Sequence, residues 1–146
     1  MAHERDILDR LLAVASLLTL DTARFALSEG MTEARVHLLW ELHRSGPVAQ
    51  RPLATALGVT PRTVTGLVDA LEASGHVVRA AHPTDRRASV VTLTSAGEAF
   101  AERLVAMHAD LATQLVGDLS PRRRDGLATG LDHVLARLHS LLQDQP

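Results

Sequence analysis

The chain has 146 residues, 46% hydrophobic and 22% charged, which fits one globular unit with its own core and excludes a disordered chain. It has no cysteine, so disulfides, thiolate zinc sites and cysteine redox chemistry are excluded. Net charge is −2, so the molecule as a whole is not a basic nucleic-acid binder.

The charge is unevenly spread. All 15 basic residues are arginine, which fits a GC-rich coding bias more than a demand for phosphate binding. Between Arg44 and Leu93 six arginines (44, 51, 62, 79, 86 and 87) stand against Asp69, Glu72 and Asp85. That local excess of three positive charges leaves about −5 for the remainder, a weak electrostatic footprint of DNA binding.

The first predicted helix runs from Glu4 to Ser28 and ends at Glu29-Gly30. Its apolar residues, among them Ile7, Leu8, Leu11, Leu12, Leu17 and Leu18, wrap more than one face and need burial on both sides. Its longest apolar run, Leu11 to Leu20, is broken by Ser16 and Thr19 and is too short to cross a bilayer. Asp6, Asp9 and Asp21 flank that run, and no small-residue cleavage site follows a basic leader. No signal peptide or membrane association is expected, and the chain reads as cytoplasmic.

Thr32 can cap a second helix to about Arg44, with Val36, Leu39 and Trp40 inward, before Ser45-Gly46-Pro47 breaks it. A short third helix, about Gln50 to Leu57, carries an inner stripe of Leu53, Ala54 and Leu57. Gly58 closes it as a left-handed cap, and Val59 is expected to plug the turn. Thr60 caps a fourth helix, Pro61 takes its first position, and Val64, Leu67, Val68 and Leu71 face in as far as Ser74.

His76–Ala81 and Ser89–Leu93 read as two strands joined by His82-Pro83-Thr84-Asp85-Arg86-Arg87. A fifth helix starts at Thr94 or Ser95, where Ser95 with Glu98 fits a capping box, and continues to about Val116. Ser120-Pro121 opens a sixth, in which Leu127, Leu131, Val134, Leu138 and Leu141 form a coiled-coil-like seam. The run Arg122-Arg123-Arg124 opposes the helix dipole. It is either solvated or paired with Glu4, Asp6 or Asp9 across a dimer interface.

Leu53 to Val64 has helix-turn-helix grammar: an apolar pair on one helix, a glycine turn, and a capped second helix with a polar outer face. Pro61, Arg62, Thr63, Thr65 and Gly66 should face outward. Arg62 can grip guanine in a bidentate way or simply hold a phosphate. The hydroxyls of Thr60, Thr63 and Thr65 suit phosphate or base edges. The hairpin tip carries Arg86 and Arg87 into solvent, where they fit a narrow minor groove or form a plain solvated charge pair. Asp85 can accept from Arg87 and hold it extended.

From Met31 to Gly97 the sequence resembles the winged helix-turn-helix of the multiple-antibiotic-resistance regulator (MarR) family. The most specific match is Asp85-Arg86-Arg87 followed by an alternating strand and Leu93-Thr94-Ser95-Ala96-Gly97. Departures are Ala49, where a capping Ser or Thr is usual, and Pro52 in the first turn of the third helix, a position that tolerates proline.

The resemblance implies a mainly α fold of six helices with a small β-hairpin wing, in an intertwined homodimer. Dimerisation helices would cover 1–30 and 117–146, the DNA-binding domain 31–97 and a long connecting helix 94–116. Leu8, Leu11, Leu12, Leu127, Leu131, Val134, Leu138 and Leu141 are the expected interface. Recognition helices would enter successive major grooves of a pseudo-palindromic double-stranded site. Arg87 looks like the wing arginine and Asp85 its orienting partner, while Thr60, Arg62, Thr63 and Thr65 fall on recognition-helix contact positions.

The expected function is a sequence-specific transcription regulator, a repressor relieved by a small aromatic carboxylate. That ligand would sit among Phe25, Met31, His37, Trp40, Arg44, Phe100 and Met107, although Trp40 also fits plain core. The rival readings are a ligand-binding dimer that has lost DNA binding and a metal-responsive regulator. No local spacing forces the eight histidines into a metal site; His108, His133 and His139 are the nearest to one, and neither metal nor cofactor is expected. No phosphate loop, nucleophile elbow or His-Glu-x-x-His motif is present, so an enzyme is not expected.

Overall fold

The computed structural model describes Met1 and residues 3–143. Six helices and one hairpin follow in the order α1 (Glu4–Ser28), α2 (Glu33–Ser45), α3 (Gln50–Leu57), α4 (Pro61–Ala73), β1 (Val77–Ala81), β2 (Ser89–Leu93), α5 (Ser95–Val116) and α6 (Pro121–Gln143). The chain forms two compact units, Met1–Arg103 and Leu104–Pro146, with α5 running through the boundary.

In the first unit the buried side chains are aliphatic apart from Phe100. Val36, Leu38, Leu39 and Leu42 come from α2, Leu53 and Ala54 from α3, and Val64, Val68 and Leu71 from α4. Ala26, Val77, Val90, Val91, Phe100 and Ala101 complete this core. Helix starts follow their capping chemistry. Thr32 accepts from the Arg35 N–H and Thr60 from the Thr63 N–H, so each threonine satisfies a donor that the helix cannot. Ala49 offers no such cap to α3, yet the helix passes through Pro52 unbroken.

The turn between α3 and α4 depends on Gly58, which is left-handed at φ 65°. There the Val59 N–H reaches back to the Ala54 carbonyl at 3.1 Å, a closure that favours glycine at the preceding position. The Val59 side chain does not plug the turn as expected: it is 38% exposed. Trp40 is only partly buried, and Leu38 and Leu42 take the inward places on α2.

The hairpin is antiparallel, in the register Val77↔Leu93, Arg79↔Val91 and Ala81↔Ser89. Sequence periodicity gave no hint of its third member. Val48, just after the helix-breaking Pro47, pairs with Val91 on the outer side of β2, through N–H···O bonds of 3.1 and 2.8 Å. A single bridging residue is too short to leave an alternating pattern. It nevertheless ties the wing to the α2–α3 connection.

The expected Ser95–Glu98 capping box is replaced by a different closure. Thr94 is the cap: its Oγ1 accepts from the Gly97 N–H at 3.2 Å and donates to the Gly75 carbonyl at 2.5 Å. Its own N–H reaches the His76 carbonyl at 3.0 Å. Glu98 is thereby free to meet His43 of α2 at 3.3 Å.

Helix α1 carries a largely bare apolar surface. Ile7, Leu8, Leu12, Val14, Leu17, Leu18 and Leu20 are exposed, Leu11 is half-buried, and only Ala26 is buried. By length and composition the whole helix, unlike the run Leu11–Leu20 within it, is long and apolar enough to cross a membrane. In the second unit α6 has no buried residue. Leu127, Leu131, Leu138 and Leu141 are exposed and Val134 half-buried. Arg124 turns back to donate to the Gly117 and Leu119 carbonyls at 3.2 and 3.1 Å, a third arrangement besides the two expected. Arg122 and Arg123 are exposed.

Candidate nucleic-acid interface

The exposed N-terminal face of α4 consists of Pro61, Arg62, Thr63, Thr65 and Gly66, as expected from sequence. At 13 residues α4 is about 20 Å long, enough to lie along a major groove. Its hydroxyls already have partners. Thr60 and Thr63 share a bond of 2.9 Å, so between them one proton stays available for donation. Thr65 Oγ1 lies 3.0 Å from the Pro61 carbonyl and 3.1 Å from Gln50 Oε1, and its single proton serves these two acceptors. Thr65 therefore retains accepting capacity, which suits a base amine better than a phosphate oxygen. Gln50, on α3, was absent from the sequence-based set, because no pattern announces a side-chain bond across fifteen residues.

The six arginines between Arg44 and Leu93 fall into two groups. Arg44 is held by Glu41 at 3.0 Å. Ser45 first, and then Arg44, hold the Glu41 carboxyl below its ordinary range, against the opposing effect of burial. Arg79 is gripped by Asp69 at 2.5 Å and by Glu72. These contacts, the Asp69 bond foremost, raise its already high pKa. Among the described residues, the guanidiniums of Arg51, Arg62, Arg86 and Arg87 make no hydrogen bond or ion pair. All four residues are exposed. They sit at the start of α3, the start of α4 and the hairpin tip. The local positive charge read from sequence is thus concentrated in these four, while two of the three acids are spent on Arg79.

Arg79 also links two parts of the interface. It stands on β1, and its two partners stand on the outer face of α4, so the pair of contacts sets the hairpin against the recognition helix. Exposed ion pairs add little stability, about 1 kcal/mol or less each. An Arg79→Met variant should therefore fold with an unfolding midpoint near wild type, yet bind duplex DNA several-fold more weakly because the wing is less well aimed. Unchanged affinity would show that this link is ornamental.

At the tip, Asp85 orients Arg87 differently from the sequence expectation. Its Oδ1 accepts the backbone N–H of Arg87 at 3.0 Å, not the guanidinium. The carboxylate shapes the turn and leaves the side chain unpaired. The Ala88 N–H returns to the Asp85 carbonyl at 3.2 Å, and the His82 N–H meets the Ala88 carbonyl at 3.1 Å.

Of the seven residues expected around a small ligand, ring contacts join Phe25 to Phe100, with centroids 5.6 Å apart. Trp40 lies beside His43, at 5.9 Å. Met31 is half-buried and uses its N–H to close the end of α1 on Ala26. His37 is exposed, and Met107 belongs to the second compact unit. Arg44 is not the expected cation beside a ring, since Glu41 holds it and its side chain is 64% exposed. That position falls to Arg103, whose guanidinium lies 5.6 Å from the Phe100 centroid and pairs with Glu29 at 2.7 Å. Among the described residues no three His, Asp or Glu side chains converge as metal ligands.

A capped recognition helix, the helix before it and a basic hairpin bridged back to the connecting loop define a winged helix-turn-helix. Residues 31–89 match the family model described as MarR family. The chain is 30% identical over 114 residues to the HTH-type transcriptional repressor YetL of Bacillus subtilis, covering 75% of this chain and 66% of that protein. It thus spans just under two thirds of that relative's length. The crystal structure of RV1404 from Mycobacterium tuberculosis superposes with a TM-score of 0.80 at 28% identity, covering 93% of this chain and 94% of that one. Streptococcus pneumoniae FabT, solved in complex with DNA, shares the fold at 20% identity with a TM-score of 0.84, over 95% and 99% of the two chains. The chain belongs to the MarR family.

Proposed function

We propose that the protein is a sequence-specific double-stranded DNA-binding transcription regulator, acting as a repressor in the cytoplasm. The observation that carries this reading is the set of four unpaired arginines on α3, α4 and the wing of a MarR-family fold. Free guanidiniums at the start of a groove-sized helix and on a thin projecting tip suit phosphates, major-groove edges and a narrow minor groove. The repressor reading is supported by the likeness to YetL, which carries that name. An enzymatic role has no support in these relatives.

The working form is a homodimer built on α1 and α6. Each helix exposes a row of leucines that costs free energy in water, about 25 cal/mol for every Å² of apolar surface left uncovered. A second copy supplies the cover, and it accounts for the apolar length of α1 without a membrane. Asp21 and Arg24 within that helix also disfavour a bilayer. Two-fold symmetry would place two recognition helices on a pseudo-palindrome with half-site centres about 10 bp apart.

A small aromatic carboxylate remains the proposed effector, with Phe25 and Phe100 as its apolar wall and Arg103, not Arg44, as its cation.

Salt titration of binding tests the function. Enrichment of duplexes from a random pool should yield a palindromic site, and affinity for it should fall steeply as salt rises, since each neutralised phosphate releases counterions. Salt-insensitive binding, or no enrichment, would remove the DNA reading. Arg62→Ala should cost roughly 1–3 kcal/mol and relax base choice at one position of each half-site. An equal loss on every sequence would reassign Arg62 to a phosphate.

A further inference from the structure

We propose that His82 is the positioning residue of the wing: its neutral imidazole holds the tip that presents Arg86 and Arg87, so that wing-dependent DNA binding is lost on acidification. The inference rests on the DNA-binding reading above and adds a residue outside the contact set.

The tip of the hairpin is organised around one ring nitrogen. His82 Nδ1 lies 3.2 Å from the backbone nitrogens of both Thr84 and Asp85, each of which donates its N–H to it. The Thr84 hydroxyl lies at the same distance. Pro83 has no N–H, so these are the first two backbone donors after His82 itself. Through Asp85 the arrangement propagates. Once the Asp85 backbone is placed, its carboxylate takes the Arg87 N–H and its carbonyl takes the Ala88 N–H. The His82 N–H closes the loop on the Ala88 carbonyl. His82 thus acts at both ends of the turn, doing with a ring nitrogen what an Asn or Asp oxygen commonly does in such a loop.

The difference from an amide or carboxylate is protonation. Nδ1 has a single lone pair and accepts only while the ring is neutral with its proton on Nε2. Imidazoles ordinarily change charge between about pH 5 and 8. A proton on Nδ1 sets N–H against N–H and releases both amides to water. Both amide bonds need Nδ1 as an acceptor, so acid, which places a proton there, opposes the ordered turn. Asp85, Arg86 and Arg87 share the hairpin tip with His82. Arg79 on β1 is held by Asp69 and Glu72. A cation added near phosphates would by itself tighten DNA binding, so the sign of the pH effect separates loss of the turn from gain of charge.

The test uses the whole 146-residue chain and the duplex enriched from a random pool, at pH 8.0 and 5.5 and fixed salt. His82→Asn keeps an acceptor that does not titrate, and should bind within about threefold of wild type at pH 8.0. On acidification wild type should weaken by roughly tenfold relative to His82→Asn, about what losing one net hydrogen bond at each wing would cause. His82→Ala at pH 8.0 should already show that weakening, with an unchanged circular dichroism spectrum. A wild-type to Asn ratio that stays constant with pH, or His82→Ala binding as tightly as wild type, overturns the proposal. The free protein gives a readout independent of DNA. The Thr84 and Asp85 amide resonances should shift with pH in wild type and not in His82→Asn. If they do not, the proposal fails whatever binds DNA. Wild type that shows those shifts yet binds no duplex would overturn the DNA reading instead.

Discussion

Replacing Arg87 with alanine is expected to reduce duplex affinity more than any other single surface change. The guanidinium is unpaired and exposed, while its backbone is fixed by the Asp85 carboxylate, so its position is paid for before DNA arrives. Loss of such a contact costs roughly 1–3 kcal/mol, and a symmetric dimer loses it twice, hence about 2–6 kcal/mol in all. The slope of affinity against salt should also become shallower by about one counterion per wing. Arg87→Lys should recover only part of the loss, because a flexible point charge does not match a planar fork. Electrophoretic or anisotropy titrations across a salt series would measure both quantities. An Arg87→Ala variant with wild-type affinity and slope would show that the wing does not touch the duplex. Folding should be unaffected, since the side chain supports no other contact.

The second large effect concerns stability. A Cβ added to Gly97 would lie 2.1 Å from the His76 carbonyl oxygen and 3.0 Å from Leu93 Cδ2. The first of these is backbone and cannot swing aside. It is also the acceptor of the Thr94 N–H, so moving it breaks the closure between the end of α4 and the start of α5. Gly97→Ala should therefore destabilise the fold by about 3 kcal/mol or more, the upper range for overpacking, and lower the thermal midpoint by about 10 °C. Gly66 provides the contrast. It lies within α4 with nothing within 4 Å of an added Cβ, so Gly66→Ala should stabilise by about 0.5–1 kcal/mol. Equal midpoints for the two variants in thermal denaturation would contradict the close approach at Gly97. Because α5 begins at this contact, a partly folded Gly97→Ala protein should lose DNA binding along with stability.

Gly97 shows how far pattern reading reached. It was legible as the end of a family motif, but no local signal tells which atom a missing side chain makes room for. Val48 is similar: one bridging residue carries no periodicity, yet it joins the wing to the α2–α3 connection. The Ser95–Glu98 box was a reasonable local reading that lost to a non-local one, because Thr94 can reach Gly75 and His76 only after the hairpin has folded. Arg79 counted in sequence as one more positive charge. In the fold it is neutralised by two carboxylates from α4 that lie seven and ten residues earlier.

The sequence by itself determined the helices, the threonine caps of α2 and α4 and the two strands, because capping, glycine turns and apolar spacing act within a few residues. It also determined the exposed face of α4 and the arginine tip, since helical period and hairpin position dictate which side chains point out. Tertiary structure alone decided which arginines are free, which carboxylate orients a backbone and which a side chain, and that His82 gathers the turn. Those outcomes depend on distances between groups far apart in the chain, or on which of several nearby donors an acceptor meets, and neither is encoded in spacing. The arginine wing is therefore legible as a feature, while the means of its positioning belongs to the folded molecule.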